Sequence, residues 1–265
     1  MGSNCQESSK STIIPDSENT EAELRLTPSA KRQKIDHQIQ AQAQAHPHSA
    51  APEANTTFQH SKMSSTSLLE TLQLEHVPST HSVHIAVFRG VENAAFLHQQ
   101  LLARNADFEY ALIDAAVITS RLQVLSAAFK AITLQVAGTL KTPNVHSEIV
   151  YALSPASNIA EAYRRHGITP TTKDLVIVKI LISPLDADST EAARAEDIEK
   201  HLLAHVKGQP APFTDETLSA LTDWGRVRKY YKLNGVGWLD GIKDAGAKNK
   251  EMDTLVMSGM ALRGV

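Results

Sequence analysis

Apolar residues are sparse and aperiodic over the first sixty or so positions, then fall into regular blocks. Residues 1–62 are rich in Ser, Gln, Glu, Pro and His, with the tract QIQAQAQA at 38–45. Such a segment cannot offset its ordering entropy, so a disordered tail is expected before a folded domain spanning 63–265. Within that domain VHIAVFR (83–89) predicts a strand closed by Gly90, and Phe96, Leu97, Leu101 and Leu102 predict a helix over 92–104. A short strand follows at 109–113. Thr119 or Ser120 then caps a long helix that runs to Gly138. Its Leu122, Leu125, Phe129, Ile132 and Val136 share one face, the pattern of a helix laid on a core, and Lys130 points the opposite way.

The stretch 148–153 is apolar and β-prone and predicts a further strand. A Ser154-Pro155 turn leads into a helix at 158–166. Asn158 is its cap, Glu161 its reciprocal partner, and Gly167 a stop at positive φ, with Thr169-Pro170 as a breaker. LVIVKILI (175–182) predicts a strand buried on both faces. Helices are expected at 190–206, 215–221 and 224–233, an irregular glycine-rich loop at 234–250 and a final apolar helix at 252–262. The expected architecture is a single α/β domain: one mixed, largely antiparallel sheet with packed helices. A doubly wound parallel sheet fits less well, because no nucleotide-binding glycine fingerprint follows the first strand.

Composition narrows the chemistry. A chain of 265 residues with 42% hydrophobic content can bury one sizeable core. Its formal charge of −3 supplies no global basic field, so nucleic-acid contact requires a local cluster of cations. The lone cysteine, Cys5, excludes a disulfide framework and a cysteine zinc cluster and fits a reducing compartment. No apolar run approaches the ~20 residues that span a bilayer, and the N-terminus lacks a secretory pattern. No membrane association is expected, and the nucleus and cytoplasm are the expected compartments. Behind Pro28, Lys31, Arg32 and Lys34 form a basic cluster of the nuclear-import type. Met63 is a possible second initiator that would remove it. Asn55-Thr56-Thr57 is read as a chance glycosylation match.

No active site is advertised. His201 and His205 are four apart, but Leu202 stands where a zincin needs Glu. The GxG at 235–237 lacks a strand-to-helix frame, and there is neither a GxxxxGK phosphate loop nor a GxSxG elbow. Asp114 and Glu148 are single carboxylates of the capping or surface kind. A binding protein without metal or cofactor is favoured over an enzyme.

Several ordered motifs carry a resemblance. SEIVYALSPASNIAEAYRRHGI (147–168) is similar to the signature SEI..LSP..NI.EA...FGI of the small kinase-binding subunit of the KEOPS/EKC complex. VHIAVFRGVENA resembles that family's opening strand, Leu112-Ile113-Asp114 its "fIdp", AAFKAI (127–132) its lysine-bearing core, and 139–148 its approach to SEI. Lys207-Gly208-Gln209 resembles a turn of the family, RVRKYYKL (226–233) its "ikKiYKL", and MALRGV (260–265) its fungal ending. The chain departs from the pattern in its long leader, its extended 234–250 loop and Pro143, which stands where many members carry a second basic residue.

The resemblance implies a non-catalytic subunit that binds the kinase-like ATPase of the complex and, through it, the remaining subunits. It implies recruitment of tRNA by the 3′ CCA end for threonylcarbamoyladenosine modification beside the anticodon, in a complex also linked to telomeres. The cations available for RNA are Lys130, Lys141, His146, Arg164 and Arg165. Met252, Leu255, Val256, Met260 and Leu262 spread beyond a narrow stripe on the last helix and are expected to face the kinase. An independent nuclear nucleic-acid-binding protein, led by the basic cluster of the tail, is the alternative. It requires residues 1–62 for RNA binding.

Overall fold

The long apolar runs pair into a sheet because each can satisfy its backbone only beside another. A computed structural model describes residues 68–183 and 191–263. The expected tail, the import cluster and Met63 lie outside the described residues. The strands are β1 (Glu70–Leu72), β2 (His81–Arg89), β3 (Ala111–Asp114), β4 (Leu175–Ile182) and β5 (Gln209–Ala211). β2 is central: β4 pairs with one edge, from His81↔Ile182 to Phe88↔Leu175, while β1 and β5 share the other edge. β3 pairs with the far side of β4, and each of these pairings is antiparallel. This is the antiparallel sheet with packed helices that the hydrophobic pattern predicts.

Helices cover both faces. They are α1 (Ala94–Leu102), α2 (Arg121–Val136), α3 (Val145–Ala152), α4 (Ile159–His166), α5 (Glu191–His205), α6 (Asp215–Leu221), α7 (Trp224–Tyr230), α8 (Gly237–Gly241) and α9 (Ala245–Ala261). Val83, Ile85, Val87, Val176, Val178 and Ile180 form one core with α2, α3 and the C-terminal helices. Ala86, Phe88, Leu175 and Ile177 form a second core with α1 and α5. The alternation of the strands thus feeds two layers, and β4 reads as continuously apolar because both of its faces are covered.

Several local expectations change. Residues 148–152 belong to helix α3, with Leu153 its C-cap and Asn144 its N-cap, whose side chain accepts from Ser147 N. Val145, His146, Glu148, Ile149, Val150, Tyr151 and Ala152 are all buried. A helix apolar on nearly every side has no amphipathic period and mimics a central strand. Asn158 caps α4 as expected, but Glu161 pairs with Arg164 and Arg165 rather than closing the capping box. Gly167 lies at φ −76°, not in the left-handed region. A Cβ there would stand 2.7 Å from Tyr163 O, so the position requires glycine for close approach. The segment expected to be irregular, 234–250, contains α8 and the start of α9, which Asp244 caps through Ala247 N. Glycines at 241 and 246 masked that start.

The largest change concerns α2. Its buried residues are Gln123, Val124, Ala127, Ala128, Ala131 and Ile132, so of the expected stripe only Ile132 is fully buried. The alanines let the helix axis sit close to its neighbours, and the bulky residues are turned outward. Ser120 caps the helix, and its hydroxyl also donates to Asp253 on α9 (2.9 Å). A buried chain then runs from Gln123 Nε2 to the Tyr231 hydroxyl (2.9 Å), which donates to Leu153 O. Burial raises the pKa of that hydroxyl, so it stays a neutral donor.

Candidate nucleic-acid and partner interfaces

The loop before α3 carries Lys141 and is fixed from below. Glu148 is fully buried, and its Oε2 accepts from Lys141 N (3.0 Å), Thr142 N (2.9 Å) and the Thr142 hydroxyl (2.7 Å). Three donors compensate the burial of that oxygen. The charge of Glu148 also acts on two half-buried cations, Lys130 and Arg263.

Lys130 leaves the flank of α2 that faces α9 and approaches Met260 O (3.4 Å). Burial lowers its pKa, and Arg263 and Lys141 add to the effect. Arg263 lies 4.0 Å above the Tyr151 ring and donates to the carbonyls of Tyr151 and Ser154 at the end of α3. A second group forms where α4 meets α7. Arg165 donates to Tyr230 O (3.2 Å) and covers its ring at 5.1 Å, while Arg226 lies 5.6 Å from the same ring and pairs with buried Asp114 (2.8 Å). Between the groups sits His166, fully buried. Its pKa falls to about 4, first through burial, then through Arg165, Arg226 and Arg263, against a hydrogen bond to Ala162 O. Lys130 and Arg263 at one end and Arg165 and Arg226 at the other make up a basic band, each group anchored by its own carbonyl or acid.

Of the expected RNA-facing residues, the fold brings Lys130 and Lys141 together at one end and Arg164 and Arg165 at the other. His146 does not belong. It is buried, its Nε2 accepts from Ile180 N (3.0 Å), and burial with nearby Lys179 pushes its pKa down to about 3. It is a neutral core group that satisfies a strand amide. Arg263 and Arg226 went unassigned in the sequence. Both lie in motifs that carry the resemblance, but spacing alone gives no hint that they converge on His166.

Beside the band opens a cleft of about 780 Å³ between α1, the Asn105–Tyr110 turn, the start of α3 and α4. Leu101, Phe108, Tyr110 and Tyr163 form apolar walls, and Asn144, Ser147 and Arg164 supply polar groups. Arg164 is 69% exposed and forms the border between cleft and band. The cleft offers ring edges and hydrogen-bond partners together, as an unstacked base requires.

The expected partner surface is also rearranged. Met252, Val256 and Met260 are buried in the domain's own core, and Leu255 packs against it. Leu262 alone of that set is widely exposed, at 66%. Exposed large apolar residues occur on several elements, and three of them line up on α2, where Leu122 (58% exposed), Phe129 (38%) and Val136 (55%) form an outward stripe with half-buried Leu125. Among the described residues, no helix is long and apolar enough to cross a membrane.

A family model described as kinase binding protein CGI-121 matches residues 88–264. The chain is 57% identical over 197 residues to the EKC/KEOPS complex subunit CGI121 of Gibberella zeae, covering 74% of this chain and 99% of the relative. It is 50% identical over 205 residues to the EKC/KEOPS complex subunit of Neurospora crassa (74% and 99% covered). With that of Schizosaccharomyces pombe it shares 36% identity over 152 residues (57% and 82% covered). The matched region contains the stripe, the band and the cleft, and the chain belongs to the CGI-121 family of kinase-binding proteins.

Proposed function

We propose that this protein is a non-catalytic subunit of an EKC/KEOPS complex that docks the kinase-like ATPase subunit on α2 and holds the 3′ CCA end of tRNA beside it. The observation that carries the proposal is the division of α2 itself. One side presents Leu122, Phe129 and Val136 to solvent, and the flank toward α9 presents Lys130 to the basic band. A contiguous exposed apolar stripe marks a protein contact. A band of cations beside an aromatic cleft suits a single-stranded RNA terminus: phosphates lie on Lys141, Lys130 and Arg263, and bases enter toward Tyr163. The subunit thereby presents tRNA for threonylcarbamoyladenosine formation, and catalysis resides in its partners. We also propose that Lys31, Arg32 and Lys34 direct nuclear import from the cytoplasm, to be checked by imaging a fluorescent fusion with and without those three residues.

The test is reconstitution of the complex with tRNA, followed by removal of the CCA end. Retention of intact tRNA and loss of trimmed tRNA is the expected result. Equal binding of both overturns the proposal, as does loss of RNA binding on deletion of residues 1–62.

A further inference from the structure

Beyond the cleft the basic band continues across α4 onto α7, and this end differs in kind. The guanidinium groups of Arg165 and Arg226 lie 5.1 Å and 5.6 Å from the centre of the Tyr230 ring and compete with any base for it. Each arginine is held by an acid or a carbonyl, Arg165 on Glu161 and Tyr230 O, Arg226 on Asp114. Lys229, three residues after Arg226, is exposed, and so is Lys232, which sits at φ 59° just past the helix. The acids nearby are already engaged: Glu161 with Arg164 and Arg165, Asp114 beneath Arg226, and Asp223 as the cap of α7 through Arg226 N. This surface offers charge without a free stacking platform or a base-sized cleft. Such a surface reads phosphates, not bases.

We propose that the α4–α7 surface binds the phosphodiester backbone of the double-helical RNA that adjoins the single-stranded end, with Lys229 and Lys232 as its mobile cations. The proposal rests on end binding in the cleft, because Arg164 at the cleft border joins the two surfaces. It assigns two duties to one band: the cleft side receives the terminus, and the α7 side fixes the direction in which the duplex leaves. Charge contacts of this type are sequence-independent and strongly dependent on salt.

The test uses the full chain and three RNAs: a short single strand ending in CCA, a hairpin carrying the same overhang, and the blunt hairpin. The variant is Lys229→Ala with Lys232→Asn, the latter because asparagine tolerates positive φ. For the overhanging hairpin the variant loses affinity by roughly an order of magnitude, and its log–log salt slope flattens by about 0.9 for each phosphate contact removed. For the single strand the two proteins agree within about twofold, since that RNA does not reach α7. An equal loss on both RNAs, or no loss on either, overturns the proposal. Failure of the wild-type chain to bind the single strand overturns end binding instead. The blunt hairpin then still tests the α7 surface, because its weak binding drops in the variant only if Lys229 and Lys232 contact duplex phosphates.

Discussion

Helices α2 and α9 lie side by side, tied by Ser120 and Asp253 at one end and by Lys130 and Met260 O at the other. Their sequences suggest opposite duties from those they perform. α2 carries a regular row of large apolar residues that belongs, by pattern, in a core, yet alanines with Val124 and Ile132 face the core, and Leu122, Phe129 and Val136 of the row face solvent. α9 carries methionine and leucine spread around the helix, which suggests an adaptable contact surface, yet Met252, Val256 and Met260 are core. Periodicity locates a stripe but does not say what covers it. Small residues beside a bulky stripe signal that the close-packed side is the other one.

The largest expected effect breaks the comparison at α9. Val256→Asp places a carboxylate in a fully buried site and costs about 4 kcal/mol or more. Urea denaturation should show the variant largely unfolded, whereas a stable, kinase-deficient protein would return the partner surface to α9. Next, Leu122→Glu with Phe129→Glu should leave the melting temperature within a few degrees of wild type and weaken binding of the kinase-like subunit about 100-fold, ~2.7 kcal/mol. Calorimetric titration checks this, and unchanged affinity would remove α2 from the interface.

Acid should act on the core layer that carries both helices. Burial pushes the pKa values of His146 and His166 down to about 3 and about 4 in the folded protein. In the unfolded chain they titrate at ~6.5, so between these values the unfolded state binds more protons. Stability is therefore full above about pH 6.5 and falls as pH drops below it, by up to about 1.4 kcal/mol per histidine per pH unit. Urea midpoints from pH 7 to 5 should decrease with that sign, and His146→Gln should flatten the slope. The smallest effect concerns RNA. Lys141→Ala with Arg164→Ala removes two exposed cations while leaving the Glu148 contact to Lys141 N in place, and should weaken binding of a CCA-ended strand roughly fivefold without changing stability.

Much of this was legible before any coordinates. β2 and β4 followed from their apolar runs, α6 from its amphipathic pattern, and the cap Asn158 from residue type, while the cap of α2 was narrowed to Thr119 or Ser120. What was not legible depends on tertiary context. α3 looked like a strand because it is buried nearly all round, and His146 looked like a surface cation because nothing local shows that its Nε2 meets Ile180 N. The basic band was half visible: Lys130, Lys141, Arg164 and Arg165 could be named, but Arg263 adds to them only because α9 returns its last turn to the end of α3.

The central claim is that the outward face of α2, and not α9, receives the kinase-like subunit. A benzophenone side chain placed at position 129, and separately at position 255 or 262, tests it most directly in the reconstituted complex. The account predicts a crosslink to the kinase-like subunit from position 129 that disappears with Leu122→Glu. Crosslinks from 255 and 262 with none from 129 would contradict it.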